Sequence, residues 1–211
     1  MFGIHDLALF IASGLLLNIT PGVDFLYVLG RGAARGFRAG VWAALGIGAG
    51  CFVHITAAAL GLSALLATSA AAFTLVKWIG AAYLAYMGVS MLLQRGRLGV
   101  SLPQTSEQRS MRQVFAQGFA TNVLNPKVAL FFLAFVPQFI DAHSPTKVQA
   151  FVLLGMIVNT TGTLWNIFVA WASAFLARQL EVASRAALWL NRCLGAMFVG
   201  LGVRLALSQR T

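Results

Sequence analysis

Charge is the scarcest commodity in this chain. Only 9% of the 211 residues are Asp, Glu, Lys or Arg, where a soluble domain carries roughly 25%. So few charges cannot cover a water-facing surface, so most of the outer surface is expected to face lipid. The length suits a single domain. Acidic residues are rarer still, five against 15 basic ones, for a formal net charge of +10. In a soluble protein that excess would suggest nucleic acid. Here the basic residues fall in short polar gaps between apolar stretches, as membrane anchors do. No basic face interleaved with aromatics runs along the chain, so no nucleic-acid partner is expected.

Other absences exclude chemistry. The two cysteines, Cys51 and Cys193, lie in apolar context and read as packing residues rather than a disulfide or ligand pair. The histidines are His5, His54 and His143, with no HExxH and no cysteine pair at ligand spacing, so no metal is expected. A phosphate-binding glycine loop is missing, which disfavours an ATP-driven pump acting alone. No serine sits in a GxSxG elbow. These gaps argue against an enzyme, and no cofactor is expected. The first six residues have no basic n-region, so no cleaved signal peptide is expected.

Apolar residues are abundant, at 59%. A membrane-spanning helix needs about 20 of them in sequence. Six spans are expected, near residues 7–30, 39–66, 71–93, 114–136, 148–176 and 188–207. The links after spans one, three and five hold nine basic residues: Arg31, Arg35, Arg38, Arg95, Arg97, Arg109, Arg112, Arg178 and Arg185. Fewer lie on the other side, where Lys77, Lys147, Arg204 and Arg210 fall. The positive-inside rule then puts both termini outside the cytoplasm, on the periplasmic side of a bacterial inner membrane.

The chain divides at a polar linker, residues 94–112, into two three-span halves, 1–93 and 113–211. In each half the first span is interrupted at a proline beside polar residues. The first break reads Asn18-Ile19-Thr20-Pro21-Gly22-Val23-Asp24. The second reads Asn122-Val123-Leu124-Asn125-Pro126-Lys127. An odd number of spans per half inverts the second copy. The expected fold is therefore an all-α membrane protein of six transmembrane helices, built as two inverted three-helix repeats. Paired broken helices in inverted repeats are a recurring transporter design and point to the binding site.

Pro21 cannot donate a backbone hydrogen bond, and Gly22 frees the chain beside it, so carbonyls near Leu17 and Asn18 need partners. Thr20 and Asn18 could serve, or a polar ligand could. Asp24 is the only acidic residue inside an expected span. An intramembrane carboxylate is usually functional, and a helix start after the break would stabilise it. It could bind a substrate ammonium, carry a coupling proton, or simply pair with Lys127 or Arg31. Lys127, after the second break at Pro126, could bind a substrate carboxylate, pair with Asp24, or snorkel to the interface. Asp24, Lys127, Asn18, Asn122 and Asn125 together would match the charge pattern of an amino acid. In span five Asn159, Thr163 and Asn166 share a helical face. That face could line a solute path or bond helices together. His54 reads as a packed, hydrogen-bonded residue. Phe131, Phe132, Phe135 and Phe139 read as packing or lipid-facing residues.

Two stretches give the chain a family resemblance. The first is Gly14, Thr20-Pro21-Gly22-Val23-Asp24, Gly32, Gly36 and Gly40. The second is Gly118-Phe119, Asn122, Asn125-Pro126-Lys127, Phe131-Phe132 and Pro137-Gln138-Phe139. With these the chain resembles the LysE/RhtB family of amino-acid exporters, over nearly its whole length. Val23 stands where the family commonly has a second proline. The resemblance implies export of amino acids across the inner membrane by proton antiport, and maps the family's polar motif onto Asn18, Asp24, Asn125 and Lys127. The Thr-Pro-Gly form looks more like the threonine and homoserine exporters. Expected partners are an amino acid, protons and the bilayer; a homodimer is compatible but not demanded. Rival readings are a membrane scaffold or assembly subunit without transport, a channel, a lipid-modifying membrane enzyme, and an exporter of another small polar metabolite.

Overall fold

The computed structural model describes residues 2–62, 110–141 and 144–176, together with Trp78, Ala82, Tyr86, Val89, Val199 and Val203 as isolated helical positions. Apart from those positions, expected spans three and six lie outside the described residues, as do all but the end of the linker and the basic residues Arg178 and Arg185. Within them the architecture is all-α. Helices α1 (Leu7–Ile19) and α2 (Val23–Arg35) form a pair bent by 51°. Helix α3 (Phe37–Ala57) continues into a π turn at Ala58–Leu62. Helix α4 (Met111–Val123) is followed by α5 (Pro126–Leu130). The chain then runs on through a π turn at Phe131–Phe135 and a 3-10 turn at Val136–Phe139. The second bent pair, α4 with this continuation, turns by 46°. Helix α6 covers Lys147–Leu176.

Two described helices are long and apolar enough to cross a membrane, or up to four if each bent pair counts as one span. Four of the six expected spans are thus met by helix. Both bends fall at the prolines named from sequence, as expected where a backbone donor is missing. Span one reaches further than residue 30. Helix α2 runs on to Arg35, and Gly36 joins it to α3 with φ of 81°. That positive φ is why glycine stands there. Consequently Arg31 is not a link residue at the interface. It is buried at 6% exposure inside α2. Its Nη2 donates to Gln117 Oε1 at 2.8 Å, and its guanidinium lies 5.2 Å from the Tyr27 ring centroid. A charge with a local acceptor and an aromatic face can remain inside a bundle.

Apolar side chains gather in two clusters. One joins α1, the end of α3, the α5 segment and α6, around Phe10, Phe132, Phe151 and Leu154. Phe131, Phe132, Phe135 and Phe139 all belong to it, so they pack rather than face lipid. The second joins α2, α3, α4 and α6, around Val28, Ala43, Val114 and Ala170. Outward on α6, Leu164, Phe168, Trp171 and Phe175 are exposed. Such a row of large apolar residues suits lipid rather than water.

Small residues bring the helices close. A Cβ on Gly118 of α4 would lie 2.6 Å from the Ala43 carbonyl oxygen of α3. One on Gly50 of α3 would lie 2.7 Å from the Phe119 carbonyl oxygen of α4. These neighbours are backbone and cannot swing aside. At the outer edge Ile4 and Ile140 form an antiparallel bridge, and the Asp141 amide donates to the Gly3 carbonyl at 2.8 Å. The start of the first bent pair therefore meets the end of the second.

Gly118→Leu is expected to lower stability by about 1–3 kcal/mol through overpacking. Gly61→Ala should leave it unchanged, since a Cβ there meets nothing within 4 Å. Thermal unfolding of the two purified variants, monitored by tryptophan fluorescence, checks the contrast.

Candidate functional site between the two broken helices

The site grows from what the breaks leave unpaired. Thr20 is extended at φ −62° and ψ 121°, as a residue before proline must be. Its hydroxyl donates to the Leu16 carbonyl at 2.6 Å, and its amide bonds the same carbonyl at 3.0 Å. Pro21 would have closed the next helical bond, to Leu17, but has no N–H to give. That carbonyl is taken from the other half of the chain. Lys127 Nζ donates to Leu17 O at 2.6 Å and to Thr20 O at 3.0 Å. Two carbonyls stranded by the first break are therefore held by a cation that begins the helix after the second.

The second break is built to aim that cation. Asn125 is the N-cap of α5, its Oδ1 accepting from the Lys127 amide at 3.0 Å, and Pro126 occupies the first helical position. Both are favoured residues for a helix start. Asn122, at the end of α4, reaches back across the interface. Its Nδ2 donates to Asp24 Oδ2 at 2.8 Å. The Asn122 carbonyl lies 2.9 Å from His54 Nε2. A carbonyl only accepts, so Nε2 carries the proton, and His54 is a packed, hydrogen-bonded residue stacked on Phe132.

Asp24 sits in the first turn of α2, whose N-cap is Gly22. The positive helix end favours its negative charge. Asp24 Oδ1 is buried yet has no hydrogen-bond partner among the described residues. Asn125 lies beside the carboxylate outside hydrogen-bonding geometry, and Lys127 and His54 act on it through space. Neither Lys127 nor Arg31 forms an ion pair with it within 4.0 Å. The simple structural pairings considered from sequence are thus not made in this conformation.

A cavity of about 40 Å³ opens between the breaks, lined by Asn18, Thr20, Gly22, Asp24, Asn125 and Lys127, with Leu17, Phe25, Val128 and Asn166. A water needs roughly 10–15 Å³ of such space. The cavity has room for only a few waters, and a whole amino acid enters only if the helices move apart. It lies where the two apolar clusters meet, with Leu17 and Val128 in one and Phe25 packed on the other.

Not every residue singled out from sequence lines this cavity. Asn18 does, but its Nδ2 also bonds the Val158 carbonyl and Thr161 Oγ1 of α6, each at 3.1 Å. Asn122 acts through Asp24. Asn159 and Thr163 turn instead towards Gly48 of α3, so of the α6 polar face only Asn166 lines it. Phe25 was not identified from sequence, nor was the grouping of Arg31, named there only as a link residue or a partner of Asp24, with Tyr27 and Gln117. The only signal for the latter was an arginine seven residues after Asp24, hence near its helical face. Among the described residues no three His, Cys, Asp or Glu side chains group as a metal site.

With paired breaks, a stranded carboxylate and a cavity between them, comparison with known proteins is decisive. The profile of the LysE type translocator family matches residues 15–209. The chain belongs to that family. Members are membrane exporters, not enzymes, and the chain is a multi-pass inner-membrane protein. It is 33% identical over 211 residues to an uncharacterised membrane protein of Vibrio cholerae, covering 98% of each chain. An uncharacterised membrane protein of Pseudomonas aeruginosa is 32% identical over 207 residues, covering 97% of this chain and 96% of the other. A leucine efflux protein of Klebsiella pneumoniae is 29% identical over 210 residues, covering 99% and 98%. No solved structure matches this LysE type chain.

Asn125→Ala removes the α5 cap and is expected to lower stability by about 1 kcal/mol, whereas Asn125→Asp keeps a capping oxygen and most of that stability. Parallel melting curves of both variants in detergent check the difference.

Proposed function

We propose that this LysE type protein exports neutral amino acids across the inner membrane, in exchange for protons, by alternating access around the two broken helices. The observation that carries the reading is Asp24 Oδ1, buried and unpartnered among the described residues at the edge of the cavity. An intramembrane carboxylate with a spare oxygen is matched to a substrate ammonium or a proton. The polar set proposed to handle substrate is Asn18, Thr20, Asp24, Asn122, Asn125 and Lys127; Asn159 and Thr163, which face Gly48 of α3 in this conformation, join it only if the α3–α6 contact opens. Asp24 is the proposed proton carrier, and Pro21, Gly22 and Pro126 supply the breaks.

In this account the substrate enters from the cytoplasm and its ammonium meets Asp24. The halves rock to expose the site outside. Protonation of Asp24 from the periplasm then weakens its hold and promotes release, and proton loss to the cytoplasm resets the carrier. Two inverted repeats, 1–93 and 113–211 joined by a cytoplasmic linker at 94–112, would give this symmetry, with both termini periplasmic. The Ile4–Ile140 bridge favours such an arrangement, because the first bent pair begins at the edge where the second ends. The motif resemblance points to threonine and homoserine, while relatives in Klebsiella, Enterobacter and Salmonella carry the name leucine efflux protein. What these substrates share is an uncharged side chain on an amino-acid zwitterion.

The test is efflux from liposomes holding the purified protein and labelled leucine, threonine, homoserine and lysine under an imposed proton gradient. Gradient-driven loss of the neutral amino acids is expected for the wild type. Asp24→Asn should fold but lose at least about tenfold in coupled efflux, the scale of one charge-assisted contact. Undiminished proton-coupled export by that variant would contradict the reading.

A further inference from the structure

Lys127 makes an unusual set of contacts for a lysine beside a carboxylate. Its ammonium ignores Asp24 as an ion-pair partner and donates to two backbone carbonyls, Leu17 and Thr20. Those carbonyls are stranded for identifiable reasons. Leu17 O would bond residue 21 in a continuous helix, and residue 21 is proline. Thr20 O lies past the end of α1 and before the start of α2, whose first helical bond runs from Leu26 N to Gly22 O. Both acceptors belong to residues that line the same cavity as Asp24. Two carbonyls accept from a primary ammonium at this point, and the Asp24 carboxylate, more than 4.0 Å away, supplies the opposite charge.

We propose that the Lys127 ammonium occupies the substrate's own ammonium subsite, so that the transported amine binds by displacing it. The inference rests on the amino-acid reading above and adds where the ammonium goes and what it must evict. The ligand class is a primary ammonium. A trimethylated nitrogen, which has no N–H, would be refused. The exchange also gives binding a mechanical consequence. Lys127 belongs to the second break and its acceptors to the first, so evicting it unclasps the two broken helices. The freed side chain is then available to the substrate carboxylate. In the empty protein the clasp keeps stranded carbonyls paired without a ligand.

The experiment measures binding of labelled isoamylamine, a leucine lacking its carboxylate, to the purified full chain in lipid nanodiscs. Lys127→Met removes the internal competitor and leaves the site to water and ligand. It is expected to bind isoamylamine about tenfold or more tightly than the wild type, because one charge-assisted contact no longer opposes entry. Leucine should gain less, since its carboxylate loses Lys127. Pro21→Ala acts in the opposite sense. On the Lys127→Met background, where no lysine competes, it restores an N–H that can close the helical bond to Leu17 O, and should weaken isoamylamine binding about tenfold. N,N,N-trimethylisoamylammonium should not compete in any variant. A folded Lys127→Met protein with wild-type or weaker amine affinity overturns the proposal. So does Pro21→Ala on the Lys127→Met background with undiminished affinity; Lys127→Gln, which likewise carries no ammonium, takes the place of Lys127→Met if that variant does not fold. Transport is not required for this readout. Tighter amine binding by Lys127→Met with no amino-acid efflux from wild-type liposomes would sustain the subsite and refute the exporter reading.

Discussion

A backbone carbonyl inside a membrane bundle must find a donor, and Pro21 takes away the one that Leu17 would have had. The rest of the site follows from that deficit. Water is scarce at such a position, and an unmet polar group costs several kcal/mol in hydrocarbon. The chain answers with a cation from the other bent pair, Lys127, which serves Leu17 and Thr20 together. The contact spans 110 residues of sequence. It ties the two bends to one another at the level where Asp24 enters.

Close packing makes that contact reachable. Gly50 and Gly118 let α3 and α4 approach backbone to backbone. The approach sets Asn122 where its amide can cross to Asp24, and seats the Asn122 carbonyl against His54. The site is therefore a polar layer between two apolar clusters, each of which takes one arm of both bent pairs. Moving one bend relative to the other would exchange partners within this layer and slide the two bent pairs within both clusters. Such a layer suits a carrier, which must be stable in two arrangements, better than a rigid scaffold.

Much of this was legible in the residues, for physical reasons. Missing charge and long apolar runs set the spans, and 148–176 emerged as α6 within one residue at its start. Prolines beside polar residues marked both breaks, because a lost N–H has only local consequences. The stranded Leu17 carbonyl could be named from Pro21 alone. Its partner could not, because nothing local selects Lys127 over water, Thr20 or a ligand. Arg31 was misread as an interfacial anchor for the same reason. Its burial depends on Gln117 and Tyr27, and only the α2–α4 contact brings Gln117 near. Asn159 and Thr163 share a face with Asn166, yet a helix of 30 residues passes several neighbours, and only part of one face meets the cavity. Periodicity identifies a face but not what lies opposite each turn of it.

The central claim is that the two breaks form one site that opens when substrate arrives. Double electron–electron resonance between spin labels at Val23 and Leu124, exposed at 53% and 79%, tests this directly, with Cys51→Ala and Cys193→Ala removing the native thiols. The account predicts a narrow distance distribution in the empty protein and a second, longer population when leucine or threonine is added. An unchanged distribution at saturating substrate, in protein that demonstrably binds it, would contradict the account.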